Sequence, residues 1–379
     1  MRSAISQLSS LLNHDKYFWI DELDGVAKQY PYRHILEIFV RVNSGGTKLT
    51  AGDLMFAAMK EGWEDVETRI EQTLDLLNGG RLAIESDFVL KALSLAHGEG
   101  AEITTVKFEG AGGAGLLSRM EAQWDQAEQA FRELRDFMVQ SLRLQTDRVV
   151  RSYNALIPLF VHLFHHPKPD EFSRVQMTAY FHKAQLFGWF SSQTDATLNV
   201  LVGRLLKSTA SAFPLDEIKQ YFRNSRGARV ELADADLWDA RLRPLLLNIV
   251  YSRAWGESPF DVSFKGNEPH VDHIYPQYVL RSRLEFGNRE INDIGNLRFV
   301  GATDNIRKRA ELPASYFARL KRSGVSIEKH LLVLYFAADP TSLAFDADTY
   351  NRFRAMRRDE IWRLLRTVVD RDASVATQA

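Results

Sequence analysis

The sequence predicts a mainly α protein, with a helical N-terminal and middle region followed near the C-terminus by a strand–strand–helix unit. Three observations carry that expectation. Apolar residues recur at three- and four-residue spacing through most of the 379 residues. Period-two alternation is confined to two short stretches, 271–274 and 296–300. The composition, 45% hydrophobic and 26% charged, is that of an ordinary globular chain.

From the N-terminus, residues 32–43 carry Ile35, Leu36, Phe39 and Val40 as a helical stripe that stops at the turn-forming Asn43-Ser44-Gly45-Gly46. Thr50-Ala51-Gly52-Asp53 reads as a capping box opening the next helix. A further amphipathic helix spans 63–77 and closes at Asn78-Gly79-Gly80. The glycine-rich stretch 109–115 reads as a flexible loop between helices. No Gly-Lys-Ser or Gly-Lys-Thr follows, so it is not a phosphate-binding loop. Helices are expected over 116–144, 154–164, 172–187, 194–208, 215–223, 237–252 and 360–369, with a disordered tail over 371–379. His162, His165 and His166 lie where one of these helices ends before Pro167. A solvated helix terminus accounts for them better than a zinc site does.

These elements divide the chain into residues 1–60, a helical domain over 61–235, a strand-bearing domain over 236–370 and the tail. No apolar run reaches membrane-spanning length. The absence of cysteine rules out disulfides and thiolate-held zinc, and a cytoplasmic location is the simplest reading. A net charge of −1 does not advertise a nucleic-acid binder, but a local basic surface suffices. Arg281, Arg283, Arg289, Arg298, Arg307, Lys308 and Arg309 supply candidates for one.

The chemistry concentrates in His270-Val271-Asp272-His273-Ile274-Tyr275-Pro276, then Gly295-Asn296-Leu297, then Asp304-Asn305-Ile306-Arg307-Lys308. Gly301 and Ala302 turn the chain, Thr303 is the expected N-cap, and a helix runs from Asp304 to Leu312. Asn305, Lys308 and Arg309 stand three and four apart on it, hence on one face. A base, oxygen donors for a divalent ion and a cation for phosphate are the inventory of metal-assisted phosphodiester cleavage. Adjacent strand residues point to opposite faces, so Asp272 and His273 converge only if the strand bends. His270 shares a face with Asp272 in an ideal strand.

The order Asp-His-Ile-x-Pro, Asn-Leu, Asn-x-x-Lys resembles the HNH nuclease motif, the ββα-metal fold of many restriction and homing endonucleases. The resemblance implies a ββα-metal nuclease domain over 236–370. In it Asp272 and Asn305 would bind one Mg²⁺ or Mn²⁺, His273 would be the general base, Asn296 would orient it and Lys308 would face phosphate. Arg307, Lys308, Arg309 and His270 are the DNA-contact candidates. Aspartate and asparagine offer hard oxygens suited to those ions.

Phe39-Val40-Arg41-Val42-Asn43-Ser44-Gly45-Gly46-Thr47-Lys48-Leu49 resembles a signature of GmrSD-type modification-dependent restriction endonucleases, with SspE-like phage-defence proteins as relatives. That resemblance implies an antiviral role, DNA (modified DNA included) as substrate, and an N-terminal ParB-like nucleotide-binding module. The Gln-Arg-x-Tyr-x-Trp motif of that module has no match between Met1 and Tyr32. The chain is therefore expected to hold a remnant of the module, and to act as a homodimer or with a partner that carries it. Arg41 and Asn43 are nucleotide-contact candidates, and a helix C-cap accounts for Asn43 equally well. The competing expectation is a non-catalytic nucleic-acid-binding or regulatory subunit.

Overall fold

The computed structural model describes residues 59–60, 62–79, 81–108, 110–205, 211–256, 269–336 and 339–370. The helix expected over 32–43, the capping box, Arg41, Asn43 and the tail lie outside these residues. The described chain is mainly helical, and no helix in it is long and apolar enough to cross a membrane.

The helical body is built from α1 (Val66–Asn78), α2 (Ser86–Ala96), α3 (Gly110–Ala122), α4 (Trp124–Gln140), α5 (Ile157–His165), α6 (Glu171–Phe187), α7 (Thr194–Leu205) and α8 (Leu215–Arg226). α1 buries Val66, Ile70, Thr73 and Leu77, the stripe its spacing prescribes, and ends at Asn78-Gly79. α5 has no polar stripe to show to water: residues 157–164 are all buried. It is accordingly the hub, packed against α2, α4 and α7, with Phe160 stacked on Phe131 at 4.1 Å. Burying a large aromatic in this way stabilises by about 3 kcal/mol.

Two expectations change here. The stretch 110–115 is not a loop but the first turns of α3. A Cβ on Gly113 would lie 2.0 Å from the Phe108 carbonyl carbon, so glycine is required because the helix starts directly against the preceding turn. His162 is buried rather than solvated, its Nε2 3.2 Å from Ser173 Oγ. Burial pulls it down to about 4, so it is neutral near pH 7. Its neighbour His165 donates from Nε2 to the Ala96 carbonyl at 3.2 Å. Among the described residues no cluster of three histidine or acidic side chains could hold a metal.

Beyond α9 (Arg243–Trp255) comes an antiparallel strand pair, β1 (Pro269–His273) and β2 (Leu297–Gly301). Between the strands lie α10 (Gln277–Leu284) and the single turn α11 (Asn288–Ile291). After them follow α12 (Ala302–Lys308), α13 (Pro313–Arg322), α14 (Glu328–Leu334) and α15 (Ala347–Val369). α12 begins two residues before Asp304, with Gly301 rather than Thr303 as its N-cap, and ends at Lys308.

At 23 residues α15 starts well before the expected 360 and spans roughly 35 Å at 1.5 Å per residue. It packs along α6, α9 and the turn Ile294–Asn296 that leads into β2. Lys183 of α6 is buried against its end, donating to Asp370 Oδ1 at 2.7 Å and to the Val230 carbonyl at 2.7 Å. The strand pair is thereby fixed to the helical body.

Candidate functional site

β1 and β2 pair so that Asp272 lies directly across from Arg298. Directly opposed residues share a face of an antiparallel pair, and Arg298 Nε donates to Asp272 Oδ2 at 3.0 Å. α12 packs on both strands and brings Lys308 Nζ to the same oxygen at 2.7 Å. Lys308 also donates to the His273 carbonyl. Both cations are about 2% exposed. Burial, and then the Arg298 charge, pull Lys308 down to about 8 against the opposing pull of Asp272. One carboxylate oxygen thus serves two buried cations, an arrangement that is costly to break from either side.

The expected outward roles of Arg298 and Lys308 are corrected accordingly. Neither faces solvent, because each has Asp272 as its counter-ion inside the fold. Arg309 does not share the face of Lys308 as the spacing suggested. The helix ends at Lys308, and Arg309 leaves it at a positive φ of 48°. Arg307, Arg309 and His270 are exposed, as contacts to a nucleic acid would need to be. Of the other basic candidates, Arg281 donates to Asn288 Oδ1 at 2.6 Å and Arg289 sits over the Trp238 ring.

His273 ends β1, and its ring is held by the segment between the strands. Nε2 lies 3.0 Å from Asn292 Oδ1. An amide oxygen only accepts and an amide nitrogen only donates, so the ring donates to Asn292 when its proton is on Nε2 and accepts from Gln277 there when the proton is on Nδ1. The Gln277 amide nitrogen stands 3.3 Å from Nδ1 and 2.9 Å from Nε2. Burial pulls His273 below the usual imidazole range, partly offset by the hydrogen bond to Asn292. Near pH 7 it is a neutral base.

Asn296, expected to orient the histidine, is placed elsewhere. Its Oδ1 accepts from Tyr275 N at 2.8 Å, and its Nδ2 donates to the Tyr275 carbonyl at 3.1 Å and the Ile291 carbonyl at 3.0 Å. It fixes the chain where it leaves β1. The residue that reaches the ring is Asn292, whose own carbonyl accepts from Arg243 of α9 at 3.2 Å. Both asparagines precede β2 within five residues, and local pattern does not say which one turns toward β1. Asn292, Gln277 and Arg243 are the site residues that sequence reasoning missed.

The loop carrying Asn292 is anchored from α15. Arg357, fully buried, donates to the Ile294, Gly295 and Val333 carbonyls. Asp293 Oδ1 caps the turn through Gly295 N at 2.8 Å, and its Oδ2 meets Arg358 at 3.3 Å and Arg354 at 3.5 Å. A Cβ on Gly295 would lie 2.2 Å from the Arg354 carbonyl oxygen, so the helix rests directly on this glycine.

Donors for a divalent ion remain after these bonds are assigned. Asp272 Oδ1 has no hydrogen-bond partner among the described residues, and neither does the half-buried Asn305 amide, one helical turn before Lys308. Two oxygens with water and phosphate completing the shell suit Mg²⁺ or Mn²⁺, which retain most of their water. Were such an ion bound here, Asp272 Oδ1 and the Asn305 amide oxygen would be the protein donors available to it. Tyr278 in α10 and Ile306 in α12 are 74% and 73% exposed, large apolar groups left uncovered. Comparison of the sequence with models of known protein families and with curated proteins finds no match.

Proposed function

We propose that this chain is a metal-dependent DNA endonuclease of the HNH type, hydrolysing phosphodiester bonds in restriction of foreign or modified DNA. The observation that carries the reading is the His273 ring, held at a strand end between Asn292 and Gln277 and kept neutral by burial, so that one ring nitrogen has a lone pair to take a proton. His273 accepts the proton of the attacking water at that nitrogen. Asn292 steadies the imidazolium that forms. Lys308 keeps the Asp272 carboxylate in place and, through the His273 carbonyl, fixes the strand end that carries the base. Arg307, Arg309 and His270 offer exposed donors to the phosphates on either side. Asp272 and Asn305 would hold the divalent ion, which when bound would supply charge neutralisation at the phosphate and the departing oxygen.

A second reading is favoured by a specific contact. Because Arg298 and Lys308 both bind Asp272 Oδ2, the charge of the carboxylate is already matched inside the fold. The chain would then be a non-catalytic nucleic-acid-binding or regulatory subunit. A supercoiled-plasmid assay in Mg²⁺, Mn²⁺ and EDTA separates the two. Nicking that needs the metal supports the endonuclease; DNA binding with no nicking in any metal supports the subunit.

A further inference from the structure

We infer that the helical body carries a second site, separate from His273, for a phosphorylated small molecule of nucleoside monophosphate size. The end of α4, one face of α6, the C-terminal half of α9 and the end of α15 enclose a cavity of about 380 Å³. That is within the usual range of ligand pockets.

Its charge is unbalanced. Arg143, Arg174 and Arg253 line it against a single carboxylate, Glu171. Arg143 and Arg253 make no ion pair or hydrogen bond with the described residues, and Arg174 donates only to the Pro169 carbonyl, at 3.3 Å. Arg143 sits there at a φ of 53°, a backbone conformation that side-chain-bearing residues rarely adopt. Two guanidinium groups without partners among the described residues, and a third with only one, match the oxygens of a phosphomonoester, which they bind in pairs of parallel hydrogen bonds.

The inner wall asks for something other than charge. His182, 3% exposed, has a buried Nδ1 without a hydrogen-bond partner, and Ser252 Oγ is in the same condition. Both atoms are closed off from the void as the side chains stand, so an occupant would reach them only through a shift of this wall. Burial keeps His182 neutral, one ring nitrogen donating and the other accepting. Val175 and Ile249 add apolar surface beside them. An anionic head for the arginines, with apolar wall and room for an organic body beyond it, describes a phosphomonoester of nucleoside size better than a free anion. The occupant would touch α9, whose Tyr251 hydroxyl accepts from Phe299 N at 3.0 Å and donates to the Phe299 carbonyl at 3.2 Å in β2.

Calorimetric titration and thermal unfolding of the full chain test this directly, with adenosine 5′-monophosphate, inorganic phosphate, adenosine and a short DNA duplex as probes. The monophosphate binds and raises Tm, phosphate binds more weakly, and adenosine does not bind. Arg143→Gln and Arg253→Gln each weaken the monophosphate roughly tenfold or more, with unchanged circular dichroism and ligand-free Tm. His273→Ala binds it as the native chain does, so the result stands apart from nuclease activity. No binding at millimolar monophosphate, binding unaffected by both arginine variants, phosphate binding as tightly as the nucleotide, or binding of the duplex alone would each overturn the proposal.

Discussion

In the helical body the large side chains withdrawn from water are Phe131, Phe137, Phe160, Phe181 and Tyr180, with Lys183 at the seam to α15. Around the strand pair they include Arg298, Arg357 and Lys308, together with Asp293 and Asp272. Both regions bury apolar area, Tyr251, Tyr275 and Tyr350 beside the strands included, but the strand-bearing one adds a set of buried charges that must be matched. The difference teaches where specificity sits. An apolar core tolerates many packings of similar volume, whereas a buried cation fixes one partner in one register. The strand pair is therefore placed by Arg298, Lys308 and Arg357 more than by its ten residues of ladder.

The comparison breaks first at Asp272. Asp272→Ala leaves Arg298 and Lys308 buried without a counter-ion and is expected to cost about 3–5 kcal/mol in urea unfolding. Phe160→Ala in α5 costs a similar ~3–5 kcal/mol, by cavity formation. The two losses differ in repair. Adding Lys308→Met to Asp272→Ala recovers part of the loss, since one stranded cation is gone. A double variant no more stable than Asp272→Ala would show that the charges are not what holds the unit.

Acid should act next, and mainly on the body. His162 and His182 are pulled down to about 4 by burial, as is His330 in α14. Their unfolded value is ~6.5, so between these values the unfolded chain binds protons that the folded chain refuses. The stability is complete above ~6.5 and is lost as pH falls toward 4, by up to about 3 kcal/mol for each histidine. Denaturant midpoints measured at pH 7 and pH 5 check this; equal midpoints contradict it.

A smaller effect separates two glycines. Gly295→Ala drives a methyl into the Arg354 carbonyl and should cost ~1–3 kcal/mol. Gly203→Ala, in α7 with open space around it, should gain ~0.5–1 kcal/mol. Thermal unfolding of both variants reads the difference in sign. Smallest in stability is Asn292→Ala at the half-exposed ring contact. Its expected mark is kinetic, a drop in plasmid cleavage of roughly 10- to 100-fold, as for other residues that orient a functional histidine. An unchanged rate would remove Asn292 from the site.

Much of this was legible in the sequence, and the limits are physical. The stripes of α1, α6 and α8 gave their positions because local periodicity reports which face is buried. The two strands were legible from their alternation and the following proline. Residue type also singled out Asp272 and His273, which the fold sets at the end of β1. What stayed hidden depends on partners distant in the chain. Lys308 and Arg298 looked like surface cations until the register put Asp272 between them, 36 and 26 residues away. Asn296 and Asn292 are chemically identical, and only the path of the loop decides which reaches the imidazole. The start of α3 also ran against the propensity of its glycines, although Gly113 itself is what lets the helix begin against Phe108.

The central claim, that His273 is a base held by its surroundings rather than a residue that holds them, reduces to one measurement. Supercoiled plasmid is incubated with Mg²⁺ and either the native chain or His273→Ala, with both proteins shown to have the same Tm. The account predicts metal-dependent nicking by the native chain and a loss of ~10²- to 10⁴-fold in the variant. Equal nicking by the two proteins at equal stability would contradict it.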